Sequence, residues 1–582
     1  MDFIQYVNNK TKLMSTENLE DMNPENGAEK KKQMFSALQN RKSANNQFTV
    51  WIPLMMAFML SIGLFIGLRM GRSGRSVVRI TDANGNLVEL TKVEEVLRYI
   101  EAKYLEGIDP LALEDAAIQG MLKKLDPHSS YISRDKIRGV KESLQGNFDG
   151  IGVEFFMLDD TILVVGVIPD GPSDKAGVKI GDRIIKVNDS TLAGVRLKNT
   201  DIINKLKGKA GSKVQVELLS RGSSKTHKVN ITRGQIPMAS IDASFMLNEK
   251  TGYIRISRFS GQTFKEFMSA FEDLTKNKGM KDLVIDLRGN PGGYLNEATD
   301  ILNQLFSDKR LLVYTEGRSY KRKEYKSNGR AYFKIGKIAV LINEGSASAS
   351  EIMAGALQDN DRGIVIGRRS FGKGLVQEQY DLSDSSAIRL TVARYYTPSG
   401  RLIQRPYREG ESDEYEEDFD YRFRSGELIS RDSIKIGDST VYKTTGGRIV
   451  YGGGGIIPDI FVPIDTILYN EYYLDLAQFV PAFVYRYMDT NYKSFSSYNT
   501  ANSFANNYAV DGRMMEDFIE FALQKGKLEK NNKIIALSKP ELSNYIKAQI
   551  AQQLFRSEGF YRCQSKKDKD ILKALEELNR AK

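Results

Sequence analysis

Three serines alternate with alanines in Asn343-Glu-Gly-Ser-Ala-Ser-Ala-Ser-Glu351, and one lysine stands between glycines in Gly372-Lys373-Gly374. A serine hydroxyl is a poor nucleophile at neutral pH and needs a base beside it. Imidazole is scarce, because His128 and His227 are the only histidines among 582 residues. His128 sits in a proline turn and His227 near the end of a β segment, so both are expected to be structural or exposed. A lysine can act as the base when it is neutral, which requires burial to lower its pKa from about 10.4 towards roughly 7–8. Such a drop of about three units corresponds to about 4 kcal/mol between protonation states. Residue types and spacing therefore point to a serine hydrolase of the Ser/Lys kind.

Ser348 falls at the start of a helix, where unpaired amides and the helix dipole favour developing negative charge. The N–H of Ala349 is then a natural oxyanion donor, with a second expected from the Gly292-Gly293 turn. Ser346 and Ser350 compete with Ser348, and any one of the three could instead be a helix cap or a small packing residue. The elements that must carry these groups read as α/β. Leu283 to Leu287 is a continuous apolar strand followed by the loop Arg288 to Gly293 and helical spacing over Tyr294 to Phe306. Ile338 to Ile342 repeats the scheme, with Asn343-Glu-Gly345 as its turn and Ser348 to Leu357 as its helix. Two such units in series predict a mainly parallel sheet with active loops at the strand C-termini.

Composition removes several other classes. The formal charge is +10, yet Lys and Arg are interleaved with acids rather than gathered into a stripe, so no nucleic-acid partner is expected. Cys563 is the only cysteine, which excludes an intrachain disulfide, a zinc ribbon or a redox pair. With two histidines a multi-histidine metal site is excluded as well, and neither metal nor cofactor is expected. Gly367 to Lys373 matches most of a phosphate-binding loop, but Gly374 stands where Ser or Thr would bind magnesium, and the next residues alternate like a strand.

Residues 1–47 are polar and read as a disordered tail. Residues 48–68, Phe48 to Leu68, are uncharged and mostly apolar, long enough to span about 30 Å as a helix. The long polar tail ahead of them and the lack of a cleavage site favour a signal anchor over a cleaved leader. Basic residues flank both sides, Lys30 to Lys32 with Arg41 and Lys42 against Arg69, Arg72, Arg75 and Arg79, so charge alone barely orients the span.

Residues 76–140 carry the apolar spacing of two short amphipathic helices, closed by the turn Asp126-Pro-His-Ser-Ser-Tyr131. Over 141–233 the pattern changes to short β segments with one helix at Asp201 to Leu206. Gly150-Ile-Gly-Val-Glu-Phe155 and Gly171-Pro-Ser-Asp-Lys-Ala-Gly-Val178 together resemble a PDZ domain. A glycine-rich turn there exposes successive N–H groups that can hold a terminal carboxylate while the next strand pairs with the peptide. Residues 234–467 form the α/β core with an acidic insertion over 405–440, of which Glu409 to Asp420 reads as solvated rather than as a site. Residues 468–582 are helical in pattern, with no chemical motif.

Asn343 to Ile352, Arg369-Ser-Phe-Gly-Lys-Gly374, Asp286-Leu-Arg-Gly-Asn-Pro-Gly-Gly293 and Ala393-Arg-Tyr-Tyr-Thr-Pro-Ser-Gly400 together resemble the carboxyl-terminal processing protease family, also called tail-specific proteases. The likeness covers residues 90 to 465. It implies a core akin to crotonase and Clp protease, a catalytic set of Ser348, Lys373 and Gln377, and oxyanion amides on Gly293 and Ala349. It also implies carboxylate capture at Gly150, Ile151, Gly152 and Val153. The alternation after Lys373 puts Gln377 on the same strand face, where its amide can orient the amine without titrating. The implied protein is a single-pass, membrane-anchored endopeptidase, its catalytic part periplasmic or otherwise extracytoplasmic. Its implied substrates are proteins or peptides with accessible apolar C-terminal tails. A homo-oligomer stays open, and the runner-up is a catalytically inactive, membrane-tethered PDZ adaptor.

Overall fold

A computed structural model of the protein describes residues 91–407, 417–467 and 470–580, together with Met59 and the strand pair Ile80–Thr81 and Leu87–Val88. The expected tail, the expected membrane segment apart from Met59, and residues 408–416 of the acidic insertion lie outside the described residues. Among the described residues no helix is long and apolar enough to cross a membrane.

The chain forms two compact units, residues 1–114 and 115–582. In the first, Thr91 caps the helix Lys92–Lys103, its own N–H donating to Glu94 Oε2 at 2.8 Å. That reciprocal box satisfies amides a helix start leaves orphaned.

The second unit is organised by a six-stranded sheet. Its spatial order is Ile241–Met246, Thr251–Ile256, Asp282–Asp286, Ile338–Ile342, Ile364–Gly367 and Ile460–Phe461. Only the first pair is antiparallel. Every residue of Asp282–Asp286 and Ile338–Ile342 is buried, as expected of parallel strands covered on both faces. Phe267, Phe271, Ile301, Leu302, Met353 and Leu357, from the helices Thr263–Glu272, Leu295–Asn303 and Ala349–Asp359, fill one face. Ile571, Ala574 and Leu578 of the last helix, Lys569–Asn579, pack on the other against Phe245, Tyr253, Val284 and Leu341. Arg288, at the end of a central strand, anchors that helix by pairing with Asp568 and Asp570 at 2.8 and 2.7 Å. An antiparallel sheet of Lys323–Lys326, Leu311–Glu316, Ala387–Tyr396 and Leu375–Asp381 completes the core. Ser130–Ile132 pairs with Ala387–Tyr396, bringing the turn at Asp126 to that sheet.

The β-rich module is an antiparallel sheet in the order Thr226–Thr232, Lys213–Leu219, Arg183–Val187, Thr161–Val167, Val153–Leu158. The helix Asn199–Leu206 buries Ile202 and Leu206 in its core. Its entering and leaving chains run side by side as Asn147–Gly150 and Gly234–Pro237. The helix ahead of that stem, Arg134–Gln145, continues past the expected division at residue 140.

Beyond residue 470 lie the helices Glu471–Ala477, Val480–Asn491, Ala501–Asn507, Gly512–Gly526 and Asn532–Gln564, the last broken at Phe555 and Arg556. They have their own core around Phe483, Phe504 and Phe518. This region also touches the β-rich module, where Asp489 pairs with Arg183 and Arg221 at 2.5 and 3.2 Å, and Tyr485 meets Phe156.

Of the segment expected to be solvated, Glu409 to Asp420, residues 409–416 lie outside the described residues; its end enters the helix Asp418–Arg424, whose Arg422, just beyond it, has no exposed surface. Arg422 is compensated by Asp418 at 2.7 Å, which lets it be buried.

Candidate active site

The strand Ile338–Ile342 delivers the chain into a tight loop, and Ser348 occupies its sharpest point, at φ 53° and ψ −114°, just before the helix Ala349–Asp359. A side chain rarely adopts that conformation, so it must be held from outside. The Ser348 N–H donates to Glu351 Oε2 at 2.8 Å, and its carbonyl accepts from Glu351 and Ile352 amides at 2.9 and 3.0 Å. The two competing serines are occupied elsewhere. Ser346 Oγ donates to Leu287 O at 2.8 Å and accepts from Asn343 N at 3.0 Å, while Ser350 Oγ donates to Asn290 O at 3.0 Å. Both are fully buried, whereas Ser348 is half-buried.

The turn of the preceding strand–loop–helix unit lies against Ser348. Buried Asn290 shapes it, donating to Ile256 O at 2.9 Å and accepting from Gly292 N at 2.8 Å. A Cβ on Gly292 would fall 2.7 Å from Ser348 Cβ and 2.9 Å from Ala349 N, and its φ of +98° also disfavours a side chain. Among the described residues the N–H groups of Gly293 and Ala349 donate to no backbone acceptor. Two uncommitted amides beside a serine are what a developing oxyanion requires.

Lys373 lies in the loop between the strands Ile364–Gly367 and Leu375–Asp381. Its Nζ donates to Gln377 Oε1 at 2.9 Å, and Gln377 Nε2 donates in turn to His128 O. Lys373 precedes the strand by two residues, and the contact expected from alternation is made; the register shift beside Val376 and Gln377 places its extra residue, Val392, on the facing strand Ala387–Tyr396. Burial depresses the Lys373 pKa below its ordinary value, helped by the Arg389 charge, while Glu351 and Asp126 pull it back up. Burial removes water from the ammonium, which costs the charged form more than the neutral one.

No hydrogen bond joins the Ser348 hydroxyl to the Lys373 amine among the described residues; shared backbone partners link the two. Glu351, fully buried, accepts from Ser348 N and Lys373 N on Oε2, each at 2.8 Å, and from Gly372 N and Ser370 Oγ on Oε1 at 2.7 and 2.6 Å. Burial pushes its carboxyl up to about 7 against the pull of those four donors. Tyr395 OH bridges the carbonyls of Ser348 (3.1 Å) and Lys373.

Sequence reasoning did not assign Glu351 or Tyr395 to the site, and it read the turn at Asp126 only as the close of a helical segment. Ser348-x-x-Glu351 is the spacing of a helix capping box and could have flagged the first. Tyr395 had no signal beyond its place in a quoted motif. Asp126 Oδ1 accepts from His128 N, Ser129 N and Thr391 Oγ1 at 2.8, 2.9 and 3.0 Å, clamping the turn beneath Gln377. His128 therefore borders the site, half-buried, its pKa pushed down to about 4 by burial and by the Lys373 charge. His227 is exposed on the strand Thr226–Thr232.

In the β-rich module Gly150, Ile151, Gly152 and Val153 lie between the stem strand and the strand Val153–Leu158. The carbonyls of Ile151 and Gly152 accept from Ser173 N and Ile168 N, each at 3.0 Å. The amides of Ile151 and Gly152 have no backbone acceptor among the described residues. Val153–Leu158 is the outer strand of its sheet, with an edge left for an added strand.

Comparison with known proteins assigns the class. Residues 250–410 match peptidase family S41, residues 150–231 the PDZ domain, residues 68–136 the N-terminal domain of the activating protease CtpB, and residues 472–556 a family of unknown function, DUF8443. The chain is a serine-type peptidase with a PDZ domain. It is 37% identical to the carboxy-terminal processing protease CtpB of Bacillus subtilis over 54% of this chain and 66% of that protein, a little under two thirds of its length. It is 35% identical to a carboxy-terminal-processing protease of Bartonella bacilliformis over 59% of this chain and 78% of that protein. The chain belongs to the carboxy-terminal processing proteases of family S41. A solved photosystem II D1 C-terminal processing protease aligns at 27% identity over 64% of this chain and 87% of that one, with a TM-score of 0.32.

Proposed function

We propose that the protein is a membrane-anchored endopeptidase that captures the C-terminal tail of a protein substrate and cleaves it with Ser348 and Lys373. The observation that carries this reading is the half-buried Lys373 amine, depressed in pKa, hydrogen-bonded to Gln377, and sharing the Glu351 carboxylate with the backbone of Ser348. Neutral Lys373 takes the hydroxyl proton as Ser348 Oγ attacks the scissile carbonyl, and the oxyanion is received by the N–H groups of Gly293 and Ala349. The lysinium returns its proton to the leaving amine, leaving an acyl-enzyme that water hydrolyses with Lys373 again as base. Gln377 orients the amine and carries no charge at any working pH.

Capture falls to the turn Gly150 to Val153, where the amides of Ile151 and Gly152 suit a terminal carboxylate, and to the outer strand Val153–Leu158. The apolar stretch 48–68 supports a single-pass anchor with the catalytic part outside the cytoplasm. Cleavage of an unstructured peptide with an apolar C-terminus, by wild type and by Ser348→Ala, tests the reading. Loss of cleavage with retained peptide binding is expected; equal substrate lifetimes with both proteins would leave a PDZ adaptor.

A further inference from the structure

Arg422 is a fully buried arginine in the acidic insertion, beyond the segment that matches the peptidase family. Its Nη1 donates to the carbonyls of Arg369 and Ser370 at 3.1 and 3.0 Å, and its Nη2 to that of Phe371 at 3.2 Å. Three successive carbonyls of the lysine-bearing loop thus converge on one guanidinium. Glu427, from the same insertion, grips that loop from its side chains: both its oxygens accept from Arg369, at 2.7 Å each. Asp418 closes the arrangement, pairing with Arg422 at 2.7 Å and with Arg405, whose guanidinium lies 4.8 Å from the centre of the Phe371 ring.

A solvated insertion has no use for this geometry. Burying Arg369, Arg422 and Glu427 costs desolvation of each charge, recovered only because they meet one another and the loop carbonyls in fork geometry. The loop itself lies outside any sheet, so no strand ladder determines where Gly372 and Lys373 leave it. Aligning the carbonyls of 369–371 sets that direction together with Glu351, which holds the amides of Gly372 and Lys373. Gly372 then turns with φ +91°, where a Cβ would meet Arg405 Cβ and the Gly454 carbonyl carbon at 3.0 Å.

We propose that the segment Asp418–Glu427 is a positioning element for Lys373: by clamping residues 369–371 it holds the amine at Gln377, and peptidase activity depends on this insertion being docked. The proposal rests on the reading of Lys373 as the base. Arg422 and Glu427 touch no reacting atom, so they act through the loop.

The test uses the full chain with Glu427→Gln, Arg422→Lys and Lys373→Ala, steady-state kinetics on an unstructured peptide across pH, and hydrogen exchange over residues 338–374. Glu427→Gln and Arg422→Lys are expected to lower kcat ten-fold or more with KM changed less than two-fold. Water admitted around the loosened amine returns its pKa towards the ordinary value, so the acid limb of the kcat profile moves to higher pH. Amides of Gly372 and Lys373 lose protection while those of Ile338–Ile342 keep it. Wild-type kcat and an unmoved limb in either folded variant overturn the proposal. If Arg422→Lys does not fold, the near-isosteric Glu427→Gln decides alone. If Lys373→Ala keeps activity, the catalytic reading is what fails, and unchanged exchange over 369–374 in Glu427→Gln then overturns the clamp independently.

Discussion

Ser348 and Lys373 present their backbone N–H groups to the same carboxylate oxygen, Oε2 of Glu351, each at 2.8 Å. One buried side chain therefore ties the serine turn of one strand–loop–helix unit to the loop carrying the amine.

Replacing Glu351 by Gln puts an amide NH2 where two donors already point. A loss of kcat of about 10²-fold, ~2.7 kcal/mol, is expected from the disturbed turn. The negative charge of Glu351 favours the ammonium form of Lys373. Its removal lowers the lysine pKa further, so any residual activity should show an acid limb displaced to lower pH; a limb displaced upward would contradict the arrangement.

The same carboxyl predicts a stability slope. Its pKa is raised by burial to about 7 from the ordinary 4.5, so the folded state binds the proton more tightly than the unfolded chain. The stabilisation from this group is complete below about 4.5 and lost as pH rises through about 7, a contribution of about 3 kcal/mol. Denaturant unfolding of wild type and Glu351→Gln at pH 5 and pH 8 measures it. Wild type should lose more stability than the variant between those two pH values.

For Lys373 the depressed pKa means that the neutral base accumulates as pH rises, so kcat/KM should climb along an acid limb below the ordinary lysine range. Lys373→Ala should abolish that limb with the activity, and Lys373→Arg should be inactive because guanidinium stays protonated. Gln377→Glu places a negative charge at the amine and should move the limb up by about one pH unit or more.

Tyr395 has one hydroxyl proton for two carbonyls, those of Ser348 and Lys373. Tyr395→Phe leaves the Lys373 carbonyl short of a donor in a part-buried setting while the Ser348 carbonyl keeps the amides of Glu351 and Ile352, and a stability loss of about 1–3 kcal/mol with a lower kcat is expected. Thermal unfolding and kinetics on the same preparation check it.

His128→Ala should retain activity within about three-fold of wild type, since Gln377 uses its backbone carbonyl rather than its ring. Capping the substrate's terminal carboxylate as an amide should raise KM and spare kcat. Gly152→Ala, at φ +78° in the capture turn, should do the same in a folded protein. Peptide titrations followed by kinetics separate the two effects.

Much of the site was legible because its signals are local. The apolar runs at 283–287, interrupted only by Asp286, and at 338–342 announce strands covered on both faces, and a serine at a helix start or a lysine between glycines can be read within a few residues. Alternation after Lys373 anticipated its contact with Gln377, while the bulge at Val392 in the facing strand has no reliable mark in a single sequence. The contacts of Arg422 and Glu427 left no mark in the sequence, because charge density records what a segment carries, not what each charge meets.

Sequence alone thus determined the residue types of the candidate site and the strand–loop–helix units that present them, since both depend on neighbours along the chain. Only the tertiary structure decided which of three serines stays accessible, what depresses the lysine pKa, and that Asp126, Arg422 and the last helix serve the core. Those outcomes depend on burial and on partners distant in sequence, such as His128 O and Gln377, 249 residues apart. No local spacing encodes a contact between groups that meet only after the chain has folded.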